Sequence, residues 1–330
     1  MRFAVRVASS IVALSALTFF CGSINGLVAA ASRGHETASM ASNLPTFLAP
    51  LPAPPTGFNP LQATAAQLAH YGFPPRPTDP TALATWTQAM QDALHYVVPD
   101  QVPSTSIHSP DYNYNWAGYV ATSSNNGGQQ FVGAQASWVQ PYWPGGSGST
   151  ADPSFWVGVG GQSSSCQDIV QAGADSGATN AGGSTHYEFW VEDAPKGTLW
   201  QLTPSVGPND TVYVSVFYNG PNNSSEAFLE NETTSTYTAV PFSAPDYTGC
   251  SADFINEDVG APTAGYADYG TTTFSGAYVF PANGNNDGDF YKFSLTEDIM
   301  TNTGTSSGTV ESVPGPIDTG TSGFGVGASL

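Results

Sequence analysis

Three short apolar runs carry residues that do not belong in ordinary core. Phe155-Trp-Val-Gly-Val-Gly-Gly161, Gln171-Ala-Gly-Ala-Asp175 and Tyr187-Glu-Phe-Trp-Val191 read as strands separated by Gly, Ser and Asn turns. Successive side chains on a strand point to opposite faces. In residues 185–191, His186, Glu188 and Trp190 therefore share one face while Tyr187 and Phe189 take the other. A fourth run, Ala252-Asp-Phe-Ile-Asn-Glu-Asp258, puts Asp253, Ile255 and Glu257 on one face. Carboxylates set among imidazole and indole rings are costly to bury and are not how a sequence builds plain core. These strands read as the floor of a cleft, and the chemistry they suit is acid–base catalysis.

Elimination narrows that chemistry. Past residue 100 the only histidines are His108 and His186, and no Gly-x-Ser-x-Gly string occurs, which argues against a Ser-His-Asp triad. There is no His-Glu-x-x-His and no Cys/His cluster, so neither zinc nor any other cofactor is implied. Asn283-Gly-Asn-Asn-Asp-Gly-Asp289 faintly resembles a calcium loop but lacks the closing Glu, and reads as a tight turn. What remains is carboxylates. Asp318-Thr-Gly-Thr-Ser322 matches the active-site string of aspartic peptidases, a chemistry that needs two aspartates sharing a proton. The string occurs once, so it reads as a decoy. The strand at 252–258 is the other source.

The elements that must hold these residues are mostly strands. From Asn113 onward, alternating runs at 130–140, 211–218, 271–280 and 290–297 are separated by Gly, Asn, Pro and Ser clusters, and no long amphipathic helix appears. With 36 Gly and about a dozen short strands, the economical fold is all-β, two packed antiparallel sheets preceded by a short helical segment. Residues 1–110 are balanced in charge, whereas residues 111–330 hold only Lys196 and Lys292 and account for the whole net charge of −20. Such a surface repels nucleic acid and anionic membranes and suits acidic surroundings.

Arg2 and Arg6 before an apolar run, then the small residues Val28-Ala-Ala-Ala-Ser32, read as a signal peptide over residues 1–31, hence a secreted chain free of the membrane after cleavage. Cys21 does not make a lipoprotein signal, because bulky Phe19 and Phe20 precede it. Cys166 and Cys250 then remain, and an even pair in an exported chain points to one disulfide; two free buried thiols are the alternative. A bridged pair leaves no thiol nucleophile. Residues 32–110 read as a prosegment with two helices, about 63–71 and from Asp79-Pro80 to about Val97. Leu83, Trp86, Met90 and Leu94 share a face of the second helix and need something to cover. We expect that cover to be the acidic domain at 111–330, with Arg76 pairing to carboxylates around the cleft; a permanent N-terminal cap is the alternative.

Taken in order, Asn115-Trp116-Ala-Gly, Trp156-Val-Gly-Val, Val170-Gln-Ala-Gly-Ala-Asp175, Tyr187-Glu-Phe-Trp190, Leu229-Glu-Asn-Glu-Thr-Thr234 and Ala252–Asp258 resemble the glutamic peptidases, the eqolisin family of secreted acid endopeptidases. The resemblance spans about residues 113–260. It implies a β-sandwich of two antiparallel sheets (a concanavalin-like jelly roll) made with a signal peptide and prosegment, and polypeptide substrates cut without a cofactor by a chain expected to be a monomer. It also implies a catalytic pair, Gln171 and Glu257. Trp156, Asp175, Glu188 and Trp190 match supporting positions of the cleft, Asn115 and Trp116 match the first strand, and Cys166 with Cys250 fall close to a pair bridged in the family. Three departures bear on substrate preference: Gly160 stands where the family has Asp, Trp190 where it has Tyr, and Asn256 where it has an apolar residue.

The pair also makes chemical sense alone. Glu257 can take a proton from water and return it to the leaving nitrogen, while the Gln171 amide cannot ionise and donates to the oxyanion, a role worth about 3–4 kcal/mol. A competing reading is a β-sandwich glycoside hydrolase pairing Glu188 with Glu192 or Glu257, with Trp138, Trp143 and Trp156 as sugar platforms. A lectin-like carbohydrate-binding module is the non-enzymatic one.

Overall fold

The computed structural model describes residues 51–91, 94–97, 102–103, 115–143, 153–162, 166–178, 185–194, 200–218, 224–244, 247–259, 269–284, 288–301 and 308–328. The signal-peptide reading at 1–31, His108 and Lys196 lie outside them. Two helices come first, α1 (Ala65–His70) and α2 (Pro80–Met90). The strands are then β1 (His95–Tyr96), β2 (Val102–Pro103), β3 (Trp116–Thr122), β4 (Phe131–Val139), β5 (Pro153–Gly160) and β6 (Ile169–Ala178). They continue through β7 (Thr185–Ala194), β8 (Trp200–Ser205), β9 (Thr211–Tyr218), β10 (Ser224–Asn231), β11 (Thr236–Ser243) and β12 (Ser251–Asp258). The last are β13 (Thr271–Pro281), β14 (Gly288–Asp289), β15 (Leu295–Asp298), β16 (Met300–Thr301), β17 (Val310–Asp318) and β18 (Gly323–Ala328).

They form two sheets. One, of eight strands, runs β15-β3-β12-β5-β6-β7-β8-β2; the other, of ten, runs β1-β11-β10-β9-β4-β13-β18-β17-β16 with β14 beside β13. Every pairing is antiparallel except that of β1 with β11. The β-sandwich expectation therefore holds, and alternation explains it. Phe155, Val157, Val159, Val170, Ala172, Ala174, Phe189, Val191, Ala252 and Phe254 face inward from the smaller sheet. They meet Ala134, Ala136, Trp138, Val212, Val214, Val216 and Leu229 from the larger one. The disulfide is formed, with Cys166 and Cys250 at a Cα separation of 6.3 Å.

Each sheet also has an outer face. That of the eight-stranded sheet carries Trp116, Val120, Trp156, Ile169, Trp190, Ala194 and Ile255. That of the ten-stranded sheet is apolar, and the N-terminal segment packs on it: Leu68, Phe73, Trp86, Ala89 and Met90 lie against Tyr213, Phe228, Tyr237 and Ala239. Both helices begin as read, α1 with a Thr64/Gln67 capping box and α2 with Asp79 accepting from Thr81 N. The second ends at Met90 rather than near Val97. The chain there extends into β1, whose pairing with the edge of β11 wins over a helix that β-branched Val97 and Val98 and then Pro99 would not continue. Arg76 does not meet carboxylates around the cleft. Its Nη2 donates to the carbonyls of Pro60, Leu61 and Ala63, and its guanidinium lies 5.1 Å from the Trp86 ring centroid. The segment's own turn supplies acceptors close by, so the cation closes a local loop instead of reaching another sheet.

Candidate active site

The outer face of the eight-stranded sheet gathers the residues singled out by alternation. Antiparallel register lays them out in rows across β12, β5, β6 and β7. Glu257, Ser154, Asp175 and Glu188 form the first row, with Trp116 beyond Glu257 on β3. Ile255, Trp156, Gly173 and Trp190 form the second, and Asp253, Gly158, Gln171 and Glu192 the third. Rows on one face are two residues, about 7 Å, apart, and neighbouring strands about 4.8 Å. The face is thus a small grid with acids at both ends and indoles between.

Glu257 is held from both sides. Asn115 Nδ2 donates to its Oε1 at 2.8 Å and Trp156 Nε1 to its Oε2 at 2.9 Å. Trp156 is fixed in turn by the edge of Trp116, ring centroids 4.8 Å apart. Trp190 Nε1 donates to Ser154 Oγ at 3.0 Å, so this fully enclosed indole, standing where the family has a phenol, braces the strand beneath the first row. Asp175 is buried and Glu188 half-buried beside it. Asn256 points to the other face, where its Nδ2 donates to Tyr269 Oη and Ser312 Oγ; it does not touch the cleft. The Gly160 departure has a backbone cause: its φ is +101°, and a Cβ there would stand 2.1 Å from Asp168 O.

Two of the three acids of β12, Asp253 and Glu257, live in different surroundings. Asp253 is fully enclosed, with Ser251 Oγ at 3.2 Å, and burial followed by the nearby Asp298 charge holds its carboxyl well above the usual range. Burial likewise lifts half-buried Asp298 to about 6. Gln162 hydrogen-bonds to both. Asp253 therefore holds its proton more readily than an exposed aspartate does.

Gln171, 2 % exposed, donates from Nε2 to Glu192 Oε2 at 2.8 Å. Glu192 shares parity with Glu188 and Trp190, so its face was readable from the sequence. Its partner was not, because that depends on the register of β6 against β7. Asp298 and Gln162 were missed altogether; β15 is a short edge strand with no aromatic to mark it. Among the described residues no three His, Cys, Asp or Glu come together as metal ligands. Asp318 sits in the turn between β17 and β18, accepting from Gly320 N and Thr321 Oγ1, one exposed aspartate without a twin. Trp138 and Trp143 lie in the inter-sheet core, and Trp156 is enclosed, so none of the three is an open sugar platform.

Comparison with known proteins gives the chain a family. The model of the peptidase A4 family matches residues 114–313. A solved structure of scytalido-glutamic peptidase with a transition state analog inhibitor aligns at TM-score 0.50 and 22% identity, covering 66% of this chain and 98% of that one. SCP-B, an eqolisin in complex with the tripeptide Ala-Ile-His, aligns at 0.48 and 21% over 66% and 98%. Aspergilloglutamic peptidase from Aspergillus niger aligns at 0.42 and 22% over 54% and 99%. No curated protein sequence matches the chain. At these identities the structural likeness is one of fold, and it is the family match, over more than half of the sequence, that decides the grouping: the chain belongs to the peptidase A4 family, the glutamic peptidases or eqolisins.

Proposed function

We propose that the protein is a secreted acid endopeptidase in which Glu257 is the general base and acid and Gln171 the oxyanion donor. The observation that carries this reading is the clamp on Glu257, a carboxylate oriented by N–H donors on both oxygens, on the sheet face that also bears Gln171 two strands and two rows away. Water bound to Glu257 gives its proton to the carboxylate as its oxygen attacks the scissile carbonyl carbon. The carbonyl π electrons move to oxygen, where the Gln171 N–H stabilises the charge. Collapse of the tetrahedral species breaks the C–N bond, and Glu257 returns the proton to the departing amine. Asp175, Glu188, Asn115, Trp116, Trp156 and Trp190 support the cleft around an extended polypeptide. We take residues 1–31 as a signal peptide, 32–110 as the segment made ahead of the peptidase domain at 111–330, and the enzyme as a monomer.

The test uses denatured casein at acidic pH. Gln171→Ala and Glu257→Gln should each lose about a hundredfold or more in kcat with unchanged melting, since one oxyanion donor alone is worth that much. Pepstatin should leave wild-type activity intact. Retention of more than a tenth of the activity by either variant, or inhibition by pepstatin, would overturn the reading.

A further inference from the structure

Gln171 and Glu192 stand directly opposite each other on β6 and β7, both enclosed, joined by the 2.8 Å bond from Nε2 to Oε2. An amide is planar, with its donor and its acceptor on separate arms. An Nε2 turned to Glu192 therefore turns Oε1 away from it, and Gln171 Oε1 has no hydrogen-bond partner among the described residues. The strand order β12-β5-β6-β7 puts β12 on one side of Gln171, with Asp253 in the same row and Glu257 two rows along, and Glu192 on the other. Held this way, the amide offers the β12 side an acceptor, the wrong polarity for an oxyanion. A carboxylate next to the amide nitrogen also opposes the negative charge that develops on the substrate oxygen.

We propose that Glu192 is a positioning residue that sets the orientation of the Gln171 amide according to its own protonation. As a carboxylate it keeps the NH2 group turned toward β7. On taking up one proton from solvent it donates its O–H to Gln171 Oε1, the Nε2–H···Oε2 bond is given up, and the amide turns over about its last torsion. That torsion is broad and roughly two-fold, so the turn is cheap. The NH2 group then faces β12, the strand that carries Asp253 and Glu257. The proposal rests on the Gln171/Glu257 reading, and it makes the donor acid-dependent although the amide itself never titrates.

The groups facing this pair are acids. Asp253 of β12 lies across Gly158, which has no side chain to intervene; Asp175 of β6, Glu188 of β7 and Glu257 of β12 share the face, and Asp298 of β15 adjoins Asp253. By sequence β8 and β2 bring no titratable residue. His186 is six positions from Glu192 on β7, paired with Gly177. Among the described residues Arg76 and Lys292 are engaged elsewhere, with backbone carbonyls and with Asp79 and Asp289. Lowering the pH can only remove negative charge around Gln171.

The experiment measures kcat against pH for the full chain and for Glu192→Gln, with near-UV circular dichroism at each pH to hold the folded fraction constant. Between its acid optimum and neutrality the wild type should lose about a hundredfold, the worth of an oxyanion donor. E192Q, neutral throughout and able to donate to Oε1, should have a lower peak but lose less than about tenfold over the same range. Profiles of equal steepness would overturn the proposal. A second readout needs no Glu192 variant: the 15N-labelled side-chain amide of Gln171, assigned by its loss in Gln171→Ala, should shift with the midpoint of the activity profile. An amide signal indifferent to pH would overturn the proposal even where E192Q fails to fold. Gln171→Ala and Glu257→Gln run alongside separate the two ideas. Residual activity above a tenth in either removes the dyad; two inactive variants with E192Q tracking the wild type remove only the role of Glu192.

Discussion

The two outer faces of the sandwich are both buried, yet they are buried by different chemistry. On the ten-stranded sheet Tyr213, Phe228, Tyr237, Tyr278 and Phe280 present rings and almost nothing that hydrogen-bonds outward, and they are covered by Trp86, Met90, Phe73, Leu68 and Ala82. On the eight-stranded sheet Glu257, Gln171, Glu192 and Asp253 alternate with Trp116, Trp156 and Trp190, and hydrogen bonds join Trp156 to Glu257 and Gln171 to Glu192. An apolar face needs its cover at all times, because opening it costs the full hydrophobic term. A face whose carboxylates and amides can be hydrated is one that can admit a substrate. The helical segment therefore sits on the sheet that must stay closed, away from the one that must open.

Further contacts tie the segment down. Trp86 Nε1 donates to Pro74 O, Asp79 pairs with Lys292, and β1 and β2 lie on the edges of opposite sheets, beside β11 and β8. The largest expected effect follows. Deleting residues 32–97 should remove roughly 6–12 kcal/mol of side-chain burial at ~1.5–3 kcal/mol for each of Leu68, Phe73, Trp86 and Met90, and leave insoluble or unfolded protein. Trp86→Ala alone should cost about 3–5 kcal/mol in urea unfolding. A truncated chain that folds and cleaves casein like the parent would show that the apolar face needs no cover, and the contrast between the faces would fail.

A smaller effect separates the faces by pH. Five of the described acids are raised in the folded state, all by burial first: Asp253 well up, Asp298 to about 6, Glu226 to about 8, and Asp289 and Glu311 also upward. Glu226 lies on β10 beneath Gly72 of the N-terminal segment. Below the unfolded value near 4 both states hold these protons and nothing is lost. As pH rises the unfolded chain ionises first, so stability falls until each folded pKa is passed. The fold, and with it the docking of the segment, should be firmest in acid. Asp298→Asn should recover about 2 kcal/mol near pH 7 and little at pH 4, read as the difference in urea midpoints. Equal stabilisation at both pH values would contradict the assigned cause.

Much of this was legible beforehand, and what was not has a physical reason. Period-two alternation put Glu188 and Trp190 opposite Phe189, and Asp253 with Glu257, because side-chain direction on a strand is a local property. The N-cap at Asp79 was local too, α2 starting at the expected Pro80. Register is not local. That Glu192 meets Gln171, that Trp156 reaches Glu257, and that Asp298 approaches Asp253 depend on which strands pair and at what offset. The amphipathic face of α2 announced that it covers something without saying which sheet, and Arg76 looked for an acid in a sequence whose nearest acceptors were backbone carbonyls.

The central claim is that Glu257 and Gln171 act together in one transition state, and a double-mutant cycle on kcat tests it most directly. The account predicts that Gln171→Ala with Glu257→Gln is about as inactive as the worse single variant, because residues working as a unit are strongly non-additive. Losses that multiply across the two sites, or a Glu257→Gln enzyme retaining more than a tenth of wild-type kcat, would contradict it.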